Sequence, residues 1–199
     1  MSSEVKANKL SPATGTDFTF GDSGDTFTVP SGATIANSGT ATGFGDDNTP
    51  SFMGYLDTNQ NLTDDTYTLI SFNQEAYDSD SAFDTTTGKF TVPAGEGGKY
   101  WIAASVRYDD QTLNSTSDVT TSTLNIYKNG AQSNLAHFFS VYGGYGRRMT
   151  HYTGGILTLS AADYLQVYVR NNFNPTYSVQ AFGDSGTWYT YFTGWKLIL

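Results

Sequence analysis

A chain of 199 residues with no cysteine, 19 acidic and 10 basic side chains has room for one core-bearing domain plus an extension, and no disulfide framework can staple it. Its net charge of −9 would repel phosphate backbones, which argues against nucleic-acid binding, and no apolar run approaches the roughly 18 residues of a membrane-spanning helix. With 21 Gly, 14 Tyr and 13 Phe but only 15% charged residues, the composition suits a turn-rich all-β protein.

The first ten residues contain no apolar stretch, so no signal peptide is expected and synthesis in a cytoplasm is. From Ser11 to Gly45 short alternating pieces, Phe18 with Phe20, Phe27 with Val29, then Ile35, are separated by Gly21-Asp22-Ser23-Gly24 and Pro30-Ser31-Gly32 turns. Each piece has too few large apolar groups to form a core. Three chains winding together would share one around an axis; a flexible low-complexity linker is the other reading. Acids and Pro50 mark a hinge over 46–50, which divides the chain into an N-terminal region, 1–50, and a domain, 51–199.

Within the domain, period-two alternation of Val, Ile, Leu, Tyr and Thr predicts strands over 52–58, 67–74, 82–92, 98–108, 122–128, 132–141, 149–160, 164–171 and 188–198. Asn129-Gly130 reads as a tight hairpin turn because both positions tolerate positive φ. No helical periodicity competes.

Catalytic chemistry is sparse. His137 and His151 have no His, Cys or Glu at metal-ligand spacing, so each reads as a structural or surface residue and no metal or other cofactor is expected. Gly21-Asp-Ser-Gly24 and Gly183-Asp-Ser-Gly186 superficially match a serine nucleophile motif but lack its flanking context and a His partner. Asp64-Asp65, Asp78 with Asp80, and Asp109-Asp110 are candidates for calcium or, more simply, solvated loop acids. Glu4, Glu75 and Glu96 are the only glutamates, which leaves little for a glycosidase. The expectation is a protein that is not an enzyme.

Three motifs carry a resemblance. The stretch from Phe83 to Val106 runs aromatic, Thr-Gly turn, Phe90 strand, Gly, then Tyr100-Trp101; Leu157 and Leu159 precede a turn and Val167 and Val169; Phe192-Thr-Gly-Trp195 closes the chain. Together they resemble the globular head of complement subcomponent q and the related tumour necrosis factor family. That resemblance implies a ten-stranded jelly-roll sandwich assembling as a homotrimer, with Phe192, Gly194, Lys196 and Ile198 facing the threefold axis; Lys196 would meet two copies of itself there, so acidic groups or the Leu199 carboxylate are expected beside it. In that trimer Phe18, Phe27 and Ile35 of the N-terminal stalk would pack at the same axis. The Thr- and Gly-rich stalk resembles shafts and attachment regions of bacteriophage fibre and virion proteins.

If the strands run up and down from the stalk, the loops 59–66, 109–121, 142–148 and 172–187 gather at the far end. Tyr142, Tyr145, Arg147 and Arg148, with Phe173 and Tyr177, are then the candidate contacts to a host-surface glycan or protein, since rigid aromatics supply binding area at low entropic cost. The expected function is a trimeric virion fibre or spike, bound to other virion proteins through residues 1–50 and made in the bacterial cytoplasm. Capsid decoration without receptor binding and glycan degradation are the alternatives.

Overall fold

Alternation of apolar with polar side chains builds thirteen strands in the computed structural model, which describes residues 11–12, 14–17, 19–36, 38, 48–110, 119–140, 148–173 and 178–198. They are β1 (Ser51–Tyr55), β2 (Gln60–Asn61), β3 (Thr68–Leu69), β4 (Gln74–Asp78), β5 (Phe83–Asp84) and β6 (Lys89–Thr91). The longer ones follow: β7 (Gly98–Asp110), β8 (Thr121–Lys128), β9 (Ala131–Ser140), β10 (Arg148–Leu159) and β11 (Tyr164–Asn172), then β12 (Val179–Ala181) and β13 (Tyr191–Lys196). Among the described residues there is no helix.

The strands form two antiparallel sheets. One has seven strands, in the order β2-β12-β7-β13-β1-β4 with β10 on the other side of β7. The second has six, in the order β5-β6-β11-β8-β9 with β3 also on β11. This is a jelly-roll sandwich with more strands than the expected ten, because several pieces of two or three residues are too short for a periodic signal. The expected strand 82–92 is a hairpin of β5 and β6 whose turn is held by the Asp84 carboxylate, which accepts from Thr86 N at 2.8 Å and Thr87 Oγ1 at 2.7 Å. The expected strand 67–74 divides between β3 and the start of β4.

The inward face of each strand fills the space between the sheets. Phe52 is the hub: its ring lies 4.3 Å from Phe90, 5.3 Å from Phe83 and 4.9 Å, edge on, from Phe192. Ile102, Leu124, Ile126, Leu165 and Val167 continue this core with no exposed surface. Burying each such side chain contributes about 1.5–3 kcal/mol.

These contacts correct the facing expected for the last strand. Phe192 is fully buried among Phe52, Phe72 and Phe83, and Gly194 is buried beside it, so both face the sandwich interior. Thr193 and Trp195 are the outward residues, half-buried. Alternation fixes the period of a strand but not which face is which. Lys196 and Leu197 are both half-buried, and Ile198 lies exposed beyond β13. The Lys196 ammonium sits 2.9 Å from the carboxylate of Glu96 in the same chain.

Where Ser51 enters the sheet, two turns are locked together. The Asp163 carboxylate accepts from Lys128 Nζ at 2.8 Å, Asn129 Nδ2 at 2.7 Å and Ser160 N at 2.7 Å, ties led by Lys128 that hold its pKa down at about 2. Pro50, expected in a hinge, is buried, and its carbonyl accepts from Lys196 N at 3.1 Å.

The chain divides into two compact units, residues 1–44 and 45–199. In the first, the Asp22–Asp25 turn closes through Asp25 N to Asp22 O at 3.0 Å and Asp22 N to Asp25 Oδ2 at 2.8 Å. A second turn places Ala33 N 3.0 Å from Pro30 O. No strand forms among the described residues there, although the Phe20 and Phe27 rings approach to 5.6 Å. Phe20, Phe27, Val29 and Ile35 are all largely exposed; Phe18 lies outside the described residues.

Candidate functional site

The ends of β7, β9 and β11 and the starts of β8 and β10 meet at one end of the sandwich, opposite Ser51: Asp109 pairs with Arg148, and Thr121 with both Asn172 and Ser140. Arg148 stands exposed there, its Nε donating to the Asp109 carboxylate at 3.1 Å. Tyr142, Tyr145, Arg147 and Tyr177 lie outside the described residues. Phe173 is not a displayed aromatic. It is 6% exposed, packed into the core, and its backbone N–H donates to Asp64 Oδ1 at 2.8 Å.

The acids hold turns at both ends. Here Asp65 pairs with Arg170 at 2.8 Å, and at the opposite end, beside Phe52, Asp78 Oδ2 accepts from Phe83 N at 2.8 Å. Among the described residues no cluster of three or more His, Asp or Glu side chains could hold a metal ion. In Gly183-Asp-Ser-Gly186 the Asp184 Oδ1 accepts from Gly186 N and Thr187 N, and a Cβ at Gly183 would meet the Thr58 carbonyl, so that string spells a packed turn.

The two histidines do meet, which their 14-residue separation gave no reason to expect. The inward side of β10 and the edge strand β9 bring the two Nδ1 atoms to 3.0 Å, so one imidazole donates and the other accepts. His151 is 2% exposed and packed edge-on against Tyr108 and Phe139. Burial, then the neighbouring His137, pushes its pKa down to about 4. The pair closes the open side of the sandwich between the two sheets.

The outward faces of the sheets differ. On the seven-stranded sheet the register places Trp101 between Trp195 and Ile156, Ala103 between Thr193 and Gly154, and Ser105 between Tyr191 and Tyr152. Met53 and Tyr55 extend these rows through β1, and Tyr77 continues them on β4, its hydroxyl 3.5 Å from Thr193 Oγ1. None of these side chains is charged, and Tyr77, Tyr152 and Ile156 are each about half exposed. At the margin the Arg107 guanidinium lies between the rings of Phe182 at 4.4 Å and Tyr189 at 4.3 Å. On the six-stranded sheet the outward positions are Thr123, Asn125 and Tyr127 of β8 beside Gln166, Tyr168 and Arg170 of β11, a polar and tyrosine-bearing surface.

No family model matches the sequence, and no curated protein is similar to it. Solved structures are. Eiger TNF from S. frugiperda superposes with a TM-score of 0.54 at 14% identity, covering 74% of this chain and 91% of that one. The globular domain of zebrafish complement 1qA gives 0.49 at 15% identity, covering 74% and 97%. The Eiger superposition shows the TNF-like jelly-roll fold that the three sequence motifs implied.

Proposed function

We propose that this protein is a trimeric structural protein of a bacteriophage virion, a fibre or spike whose jelly-roll head binds a host-surface receptor while residues 1–50 join it to other virion proteins. The observation that carries the reading is the uncharged aromatic centre of the outer face of the seven-stranded sheet, between Lys99 and Arg107 at its margins. Rows of half-buried Trp101, Trp195 and Tyr191 with half-exposed Tyr152 and Ile156 would be a liability on an isolated head. Copies of the same face, related by a closed rotation, would cover it. The Thr- and Gly-rich stalk supports the fibre part of the reading because Phe27 and Ile35 are more than half exposed in it.

Function then rests on display. Three heads on one particle convert weak single contacts into stable attachment when receptors are dense. Turnover has no part in it. Two measurements test this: sedimentation of the purified protein, expected to give a trimer at micromolar concentration, and gold-labelled antibody on purified particles, expected to mark projecting fibres or spikes. A monomer in the first sinks the assembly, and unlabelled particles sink the virion role.

A further inference from the structure

The outward face of the six-stranded sheet holds a group of tyrosines that the core does not use. Tyr127 of β8 and Tyr168 of β11 lie 4.4 Å apart between ring centroids, tilted by 44°, and Tyr67, just before β3, stands 6.1 Å from Tyr127 at 62°. The rings form a canted cradle, with Tyr67 41% exposed. Burial, then the neighbouring Tyr67 and Tyr168 phenols, raises the pKa of Tyr127, so its hydroxyl keeps its proton and can donate.

Beneath the rings, Asn125 stands directly opposite Tyr168 in the ladder, on the outward side between inward Leu124 and Ile126. Its Oδ1 accepts from Gln132 Nε2 at 2.7 Å, but its Nδ2 is buried without an acceptor. A buried donor left unpaired keeps its full desolvation penalty. A ligand hydroxyl entering beside Tyr168, with a small shift of one ring, would satisfy it.

Charge on this surface is cancelled locally. Arg170 lies 5.5 Å from the Tyr67 ring, and one edge of its guanidinium is occupied by Asp65, through Nε to the backbone oxygen at 3.2 Å and NH2 to Oδ1 at 2.8 Å. β8 and β11 are interior strands with both edges paired, so a peptide cannot add as a further strand. What remains is aromatic surface ringed by amides and hydroxyls, with no net charge to recruit a polyanion.

We infer that the Tyr67–Tyr127–Tyr168 cradle is a binding site for a neutral glycan, one hexopyranose stacking on the rings while its hydroxyls bond Asn125, Gln132 and the free edge of Arg170. This rests on the receptor-binding reading and moves the contact from the loops to a sheet face. It also sets the ligand: the positive charges of Arg147 and Arg148 would favour an anionic glycan, whereas this surface selects by stacking and hydrogen bonds.

The test uses the full chain titrated with dextran, mannan and galactan oligosaccharides, with oligogalacturonate as the anionic counterpart, followed by aromatic proton shifts and calorimetry. At least one neutral oligosaccharide should bind, oligogalacturonate should not be preferred, and added salt should change affinity by less than about twofold because a neutral sugar forms no charge pair with the protein for salt to screen. Tyr67→Ala and Tyr168→Ala should each weaken binding about tenfold, while Tyr168→Phe, which keeps the ring, should bind nearly as well and controls for folding. Binding of none of the neutral oligosaccharides, or equal binding by Tyr67→Ala and Tyr168→Ala, overturns the site. Attachment of particles separates this from failure of the receptor role: if particles lacking the protein attach to host cells normally, the receptor reading fails. If they cannot attach but particles carrying Tyr67→Ala and Tyr168→Ala can, only the cradle is wrong.

Discussion

The imidazole of His151 is the residue whose charge the fold opposes most directly. Its pKa lies near 4, below the ordinary 6.5, because burial and His137 both disfavour the cation. In the unfolded chain it protonates near 6.5, so the unfolded state binds the extra proton between these values. The stabilisation is complete above pH 6.5 and is lost as pH falls toward 4. Urea unfolding should show a loss of about 2–3 kcal/mol from this group between roughly pH 7 and 4.5. His151→Phe, which can pack against Tyr108 and Phe139, should flatten that part of the profile; an unchanged slope would assign the pH dependence elsewhere. Gly194 is a second single-residue constraint. A Cβ there would lie 2.5 Å from Ile102 Cδ1 and 3.0 Å from Phe52 Cε1, so Gly194→Ala should cost about 1–3 kcal/mol by overpacking. Neither feature was legible in the sequence, since both depend on side chains brought together from distant strands. Phe173 failed for a related reason: a loop aromatic reads alike whether it points outward or plugs the end of the core.

At the scale of the element, β13 separates what sequence can and cannot specify. Its existence and period were plain in Tyr191-Phe-Thr-Gly-Trp-Lys196, as were the periods of the long strands β7, β10 and β11. Its phase was not, because Phe192 and Trp195 are both large apolar residues on opposite faces, and each is plausible inside. Phe52, Phe72 and Phe83, packed around Phe192, decide the matter, and Trp195 instead pairs outward with Trp101 at 6.3 Å. Two substitutions read this parity. Phe192→Ala should cost about 3–5 kcal/mol in urea unfolding, as a large core truncation does. Trp195→Ala should leave the subunit's own folding nearly intact and weaken self-association in sedimentation. The opposite pattern would restore the axis-facing role of Phe192. Short strands such as β2 and β12 were missed because two or three residues carry no period; they exist through pairing with each other and with β7.

For the whole molecule, the core residues among those described all belong to the unit 45–199. A fragment comprising residues 48–199 should therefore unfold at the same urea midpoint as the full chain, within about 0.5 kcal/mol of stability. On the proposed role it should also fail to enter particles. A head that is unstable alone would mean that the N-terminal unit supports it. The seven-stranded sheet has a further consequence, in the order of synthesis. β13 is the last of the thirteen strands to be made, yet it lies in the middle of the sheet, hydrogen-bonded to β1 on one side and β7 on the other. Until Lys196 has cleared the ribosomal tunnel, β1 has no partner on that flank and Phe52 lacks Phe192 over its ring edge. The nascent head therefore cannot mature vectorially, and its aromatic surfaces must be kept from premature pairing until a single late closure unites its first and last strands.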